Sequence, residues 1–317
     1  MHITAMKYEL PTKSAGYFPE VLSLLSSIDD SCVFNEDRDL SHPADLFLLT
    51  FNDVIECAYR LSKRFNAEAD RRQLHRQTDI SELDDIRIDI FNLIFYTSNF
   101  IEACQSIIKS LFPDADNGNK FTKAVREFNE NTKNYRSHAS KIINQIKHQH
   151  RRIRPFSYAW ENNLIIGYFI EGLVEINTIG PEPKIHSKFN DLNTGFSINR
   201  DIPYHLINVY FASACLASVV RKHIRISEVV PEMLDGEHLE RCFREVAKMK
   251  VMLLPDEIKM EIPFVHMRKD GTFLLEFPSK IKPENIKPHI ADISVTTRLG
   301  IKNLSFAPPY AMFAKNG

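Results

Sequence analysis

The stretch Ser41-His42-Pro43-Ala44-Asp45-Leu46-Phe47-Leu48-Leu49-Thr50-Phe51 decides how the chain is read. A serine can cap the free amide groups of a helix start, and proline suits the first turn, where its missing N–H costs nothing. Beyond it Leu48, Phe51, Ile55, Ala58, Tyr59 and Phe65 recur at steps of three and four, which lays one apolar stripe along a helix face. This predicts a helix from about Ala44 to His75.

The pattern then repeats. Ser81 with Asp84 and Asp85 reads as a capped N-terminus matched to the helix dipole, and Leu83, Ile86, Ile90, Phe91, Ile94, Ile101 and Ile108 carry a second stripe to Pro113. The short connection between the two predicts neighbouring antiparallel helices. A third helix is expected from Phe121 to about Arg152, whole or broken near Tyr135. After Asn163 the residues become β-branched and aromatic with Gly167, Gly172 and Gly180 between them, a β-hairpin or meander. Asp201-Ile202-Pro203 opens a strongly apolar helix that ends on Arg221-Lys222-His223, and an amphipathic helix follows over about Asp235 to Met249. Asp270-Gly271 between Ile262, Phe264 and the run Phe273 to Phe277 predicts a hairpin with a type I′ turn. Ile293, Val295 and Thr297 suggest a last strand.

The fold class expected is therefore mainly α: an antiparallel bundle of long helices with an inserted β-hairpin and a C-terminal α+β portion. The bundle spans 1–224 with the insertion at about 163–180, and the C-terminal portion, 225–317, packs on it.

Charge narrows the function. Lys and Arg nearly cancel Asp and Glu over 317 residues, for a formal net charge of −1, so nucleic-acid binding must come from a local patch. The N-terminus lacks a signal-peptide core and no uncharged apolar run reaches spanning length, which places the chain in the cytoplasm with no membrane partner. The five cysteines, far apart and with no CxxC pair, read as reduced core thiols.

The local patch exists. From Asn131 to Trp160 the chain has Lys133, Arg136, Lys141, Lys147, Arg151, Arg152 and Arg154 with His138, His148 and His150, and no acidic residue. Asn144, Lys147, His148 and Arg151 share one face of the helix, opposite Ala139, Ile142, Ile143 and Ile146. Such a face can grip phosphates; the plainer reading is hydrated cations complementing a helix C-terminus.

A bundle whose third long helix carries Asn144-Gln145-Ile146-Lys147-His148-Gln149-His150 and is followed by β-structure resembles HEPN-domain proteins, over roughly Ala44 to His223. The resemblance implies a metal-independent RNase, often a homodimer, of a prokaryotic toxin–antitoxin or antiviral defence system. In that family an arginine precedes the histidine; here Asn144 stands at the arginine position and His150 follows after five intervening residues, with His148 nearer. The departure weakens the charge stabilisation expected at phosphorus, and such members bind without cutting. The catalytic candidates are thus Asn144, His148 and His150, and the nucleic-acid-binding candidates Arg136, Lys141, Lys147, Arg151, Arg152 and Arg154. A histidine near neutrality can trade protons with the RNA 2′-hydroxyl or the leaving oxygen while a neighbouring cation or amide stabilises the phosphoryl oxygens. RNA or a nucleotide and a protein partner or second copy are the partners implied. The rival is a non-catalytic interaction or dimerisation module.

No metal or cofactor is expected. Alternate residues of a helix point about 200° apart, so His148 and His150 do not share an ion. Glu56 and Glu102 read as helix-edge carboxylates, and Gly167 and Gly172 lack the Lys and Ser or Thr of a phosphate loop. A site around His266, Arg268 or Asp292 has no recognisable spacing.

Overall fold

The computed structural model describes residues 10–75, 80–113, 119–160, 163–226, 228–229, 234–250, 253–257, 264–276, 292–295 and 305–310. The protein is mainly helical. A short α1 (Val21–Ser26) is followed by three long helices, α2 (Pro43–His75), α3 (Ile80–Ser110) and α4 (Asn119–Gln149). Next come β1 (Ile153–Trp160), β2 (Asn163–Glu175), β3 (Thr178–Pro181), the short pairs β4 (Lys188–Phe189) and β5 (Leu192–Asn193), and β6 (Phe196–Ser197). Then α5 (Ile198–His223), α6 (Glu237–Lys248), β7 (Phe264–Met267), β8 (Phe273–Glu276), β9 (Asp292–Val295) and β10 (Ser305–Phe306) complete the described elements.

The start of α2 at Pro43 follows from the expected motif, but the cap differs. His42 Nδ1, not Ser41, accepts the Ala44 N–H at 3.3 Å. From there Phe47, Phe51, Val54, Ile55, Ala58, Leu61 and Phe65 are buried at steps of three and four, while Leu48 and Tyr59 are only half-buried. Phenylalanine does much of the packing: the rings of Phe47 and Phe100 lie 5.6 Å apart edge-on, and Phe51 meets Tyr210 at 5.4 Å. α2 packs on α3 and α6, α3 on α4 and α5, and α4 on α5. Gln105 to Asn129 at 2.6 Å and Phe112 to Phe121 at 5.8 Å bring the end of α3 against the start of α4. Of the connection expected near Gln77 to Ile80, Ile80 already starts α3, and the rest, like the Gly118 turn, lies outside the described residues.

The β-structure is larger than a hairpin. A mixed sheet runs in the order β10-β3-β2-β1-β9, with β6 pairing the middle of β2, so strands from the C-terminus close both edges. β2 is buried on both faces by simple alternation. Ile166, Tyr168 and Ile170 join the helical core, and Ile165 and Phe169 join a second cluster with Phe156, Leu254 and Tyr310.

Three expectations are corrected here. The helix expected to run to Arg152, and to carry Arg154, ends at Gln149: His150 adopts φ 54°, the Arg151 N–H turns back to the Gln145 carbonyl, and Ile153 starts β1. Pro155 disfavours helix at the residue before it, which fits Arg154 to the strand. The apolar helix starts at Ile198, capped by Ser197 Oγ, which accepts the Arg200 N–H at 3.3 Å; Pro203 sits inside it. The β7–β8 connection is not type I′, because only Gly271, at φ 82°, has a positive φ; Gly271 N–H bonds to the Arg268 carbonyl and Arg268 pairs with Thr272. α5 is long and apolar enough to cross a bilayer by length and composition, and 78% of its apolar window is buried inside this fold.

Candidate nucleic-acid interface

α4 turns Ala124, Phe128, Thr132, Tyr135, Ala139, Ile142 and Ile143 inward, which leaves the opposite face to solvent. Lys123, Arg126, Glu130, Lys133, Ser137, Lys141, Asn144 and His148 follow one another along that face at steps of three and four and are all exposed. Glu130 is its one carboxylate, and it pairs with Arg126 at 3.7 Å. A shallow groove of about 470 Å3 lies along the first half of the helix, lined by Phe121, Val125, Arg126, Lys133 and Arg136 among others. Half-buried Arg136 is therefore a groove residue.

At the far end Asn144 and His148 stand one turn apart. Their side chains and that of His150 are exposed and carry no hydrogen bond to any described residue. His150 leaves the chain from the left-handed residue past the helix end, so it does not continue the face. Lys147 holds its Nζ 5.1 Å from the Phe95 ring centroid, a cation over an aromatic face. Phe95 in turn stacks on Phe91 at 6.0 Å, and Ile88, one turn earlier on α3, is 49% exposed.

The absence of acid along the chain is not an absence of acid in space. Arg154 is buried and donates from Nε to Glu171 Oε2 at 2.7 Å, and Arg151 Nε lies 3.6 Å from Glu182 Oε2. Those two arginines are tied to carboxylates from β2 and the segment after β3. Of the candidate cations, Lys141, Lys147 and Arg152 are exposed.

Residues not singled out in the sequence form a second polar assembly under α4. Tyr135 Oη lies 2.6 Å from His205 Nδ1, His205 Nε2 lies 3.3 Å from Asp201 Oδ2, and Tyr168 Oη donates to the same carboxylate oxygen at 2.6 Å. Burial pushes the Asp201 carboxyl up, but His205, Arg200 and the Tyr168 hydroxyl together hold it down at about 2. Burial drives His138 down to about 4, helped by the Arg200 cation, and His186 down to about 3. Glu257 caps the start of α5, accepting from Ser197 N at 2.8 Å and Ser197 Oγ at 2.6 Å, and burial raises it to about 7 against the pull of Arg200. One signal in the sequence marks this assembly: Asn199, Arg200, Asp201, His205 and Asn208 are polar residues on a helix otherwise apolar enough to be buried. His266 and Arg268 sit at the β7–β8 hairpin, and Asp292 pairs with Ala159 across β1.

No protein-family model matches the chain, and no curated protein or solved structure matches it.

Proposed function

We propose that the chain engages RNA or a nucleotide through the solvent face of α4, in a HEPN-like arrangement in which α2 to α5 form an antiparallel bundle. The contacts between the end of α3 and the start of α4 support the bundle. The single observation that carries the functional reading is the run of exposed Lys133, Lys141, Asn144 and His148 on one face, beside Lys147, with no carboxylate on that face after Glu130. Cations at this spacing neutralise successive phosphates, and the open Asn144 amide donates to a phosphoryl oxygen one turn from His148.

In its catalytic form the reading makes the chain a metal-independent RNase. A histidine, His148 one turn from Asn144 or else His150, takes the proton of the RNA 2′-hydroxyl as the 2′-oxygen attacks phosphorus, and then gives that proton to the departing 5′-oxygen. The test is RNA cleavage in a chelator by wild type, His148→Ala and His150→Ala, run beside filter binding of the same RNA. Binding that disappears with salt, and cleavage that falls in at least one variant, is the expected result. Salt-independent binding removes the interface, and unchanged cleavage in both variants removes the histidines from the chemistry.

The second reading, a dimerisation or protein-interaction module, is favoured by exposed Ile88 beside half-buried Phe91 and Phe95 on α3. It predicts association that Ile88→Glu weakens and salt does not.

A further inference from the structure

Among the described residues, six buried side-chain polar atoms without a hydrogen-bond partner belong to five residues on and beneath α4: His138 Nε2, His186 Nδ1, Arg200 Nε, Arg200 Nη1, Asp201 Oδ1 and His205 Nε2, the last of which lies 3.3 Å from Asp201 Oδ2. Arg200 is 6% exposed, His186 4% and Asp201 2%. His138, His186 and Arg200 are gathered around two rings, and Asp201 is next to Arg200 in α5. Phe196 has His186 at 4.5 Å, the Arg200 guanidinium at 5.1 Å and His138 at 5.7 Å, and Tyr204 has Arg200 at 5.2 Å and His138 at 5.6 Å. A buried polar atom that meets nothing is costly, so a cluster of them is a statement about what the fold is built to hold.

The chemistry of the set is definite. His186 Nε2 accepts the Ile170 N–H at 2.9 Å, so the neutral ring carries its proton on Nδ1, which is a donor. The two Arg200 nitrogens are donors by nature. Three fixed donors therefore stand beside one fixed acceptor, Asp201 Oδ1, with His138 Nε2 free to serve either way. Among the described residues no three of His, Cys, Asp and Glu gather as metal ligands, and the surplus of donors points to an acceptor-rich guest. Burial keeps part of the Glu257 population protonated at neutral pH, so Arg200 is not fully neutralised by its two neighbouring carboxyls.

We propose that this cluster binds a protonated phosphate group, with Arg200 and His186 donating to its oxygens and Asp201 Oδ1 accepting its hydroxyl. Sulfate has the same shape but no proton at neutral pH, and it would set a lone pair against the Asp201 carboxylate. His138 is the one half-buried member, and exposed Lys141 stands one turn further along α4.

The test is calorimetric titration of the full chain at about pH 6, where a phosphate monoester still carries a proton in about half of its molecules and sulfate carries none, with inorganic phosphate, adenosine 5′-monophosphate and sulfate. One-to-one binding of inorganic phosphate or the monophosphate is expected, with sulfate weaker by on the order of tenfold or more. Tighter binding of the monophosphate would identify a nucleotide as the source of the group, and tighter binding of inorganic phosphate the free ion. His138→Phe, which keeps the ring, and Arg200→Lys, which keeps the charge, should each weaken binding by on the order of tenfold. Wild type that takes up neither phosphate ligand, or that takes sulfate equally well, overturns the proposal and leaves ordered water as the guest. Lys147→Glu separates the two sites: it should reduce RNA binding and leave phosphate binding unchanged.

Discussion

Arg154 on β1 places its Nε 2.7 Å from Glu171 Oε2 on β2, with 7% and 15% of the two side chains in solvent. Arg154 faces Phe169 in the strand ladder, so the ion pair is the diagonal one, spanned by the length of the two side chains. Removing Arg154 leaves the Glu171 carboxylate, largely withdrawn from solvent, without this partner. Arg154→Ala should lower stability by about 3–5 kcal/mol, whereas Arg152→Ala, on an exposed residue three positions past the helix, should stay within about 0.5 kcal/mol. Urea unfolding of both variants checks this, and equal midpoints would contradict the assignment of Arg154 to the interior.

The interface on α4 predicts a salt signature. If Lys141 and Lys147 each meet one phosphate, the double variant Lys141→Glu, Lys147→Glu should bind single-stranded RNA more weakly at every salt concentration. It should also flatten the slope of log affinity against log salt by about 0.7 for each phosphate no longer neutralised. A double variant with the slope of wild type would move the binding surface elsewhere.

Acid should loosen the fold by way of its buried imidazoles. The folded pKa values of His138 and His186, about 4 and about 3, lie below the ordinary 6.5, so below pH 6.5 the unfolded chain takes up protons that the folded chain refuses. Glu257 works in the other direction between 4.5 and about 7, where the folded chain keeps a proton that the unfolded chain has lost. Two against one leaves the unfolded state with the excess, so stability should fall as pH drops from 6.5 to 4.5 by at most about 1.4 kcal/mol per pH unit. His186→Gln should bring that slope close to zero. A wild-type profile that is flat or rises toward acid would contradict neutral, buried histidines.

Gly167 is a packing requirement. A Cβ there would stand 2.5 Å from the Phe196 carbonyl oxygen and 2.6 Å from the Phe156 ring, and the Phe196 backbone cannot retreat without breaking the β2–β6 pairing. Gly167→Ala should destabilise by about 1–3 kcal/mol and displace the Phe196 ring on which His138, His186 and Arg200 pack. Thermal unfolding measures the first effect, and weaker phosphate binding measures the second.

Much of the helical scaffold was legible because its signal is local. Pro43 and the spacing of Phe51, Ile55, Ala58 and Phe65 need only neighbours within one helix, and so do the buried positions of α6. β1 was hidden for the opposite reason. Arg152, Arg154 and Pro155 look like the polar end of a helix until Glu171, from the next strand, is placed beside Arg154. Arg151, counted onto the same face, lies past the end of α4 and is tied to Glu182, but Asn144, Lys147 and His148 could be placed together by counting alone. The polar assembly of Tyr135, His138, Tyr168, His186, Arg200 and Asp201 could not, since it draws on α4, β2, the β3–β4 connection and α5. Its one local trace is Asp201 and His205, four apart on an apolar helix.

The borders of the central sheet are supplied late. β9 covers β1, and Ser305 Oγ meets Thr178 Oγ1 at 2.5 Å across a separation of 127 residues. A chain emerging from the ribosome therefore exposes β1–β2–β3 with two raw hydrogen-bonding rims until β9 and β10 arrive. During that interval the nascent sheet is open to the wrong strand, and any premature stop after α5 would make the condition permanent.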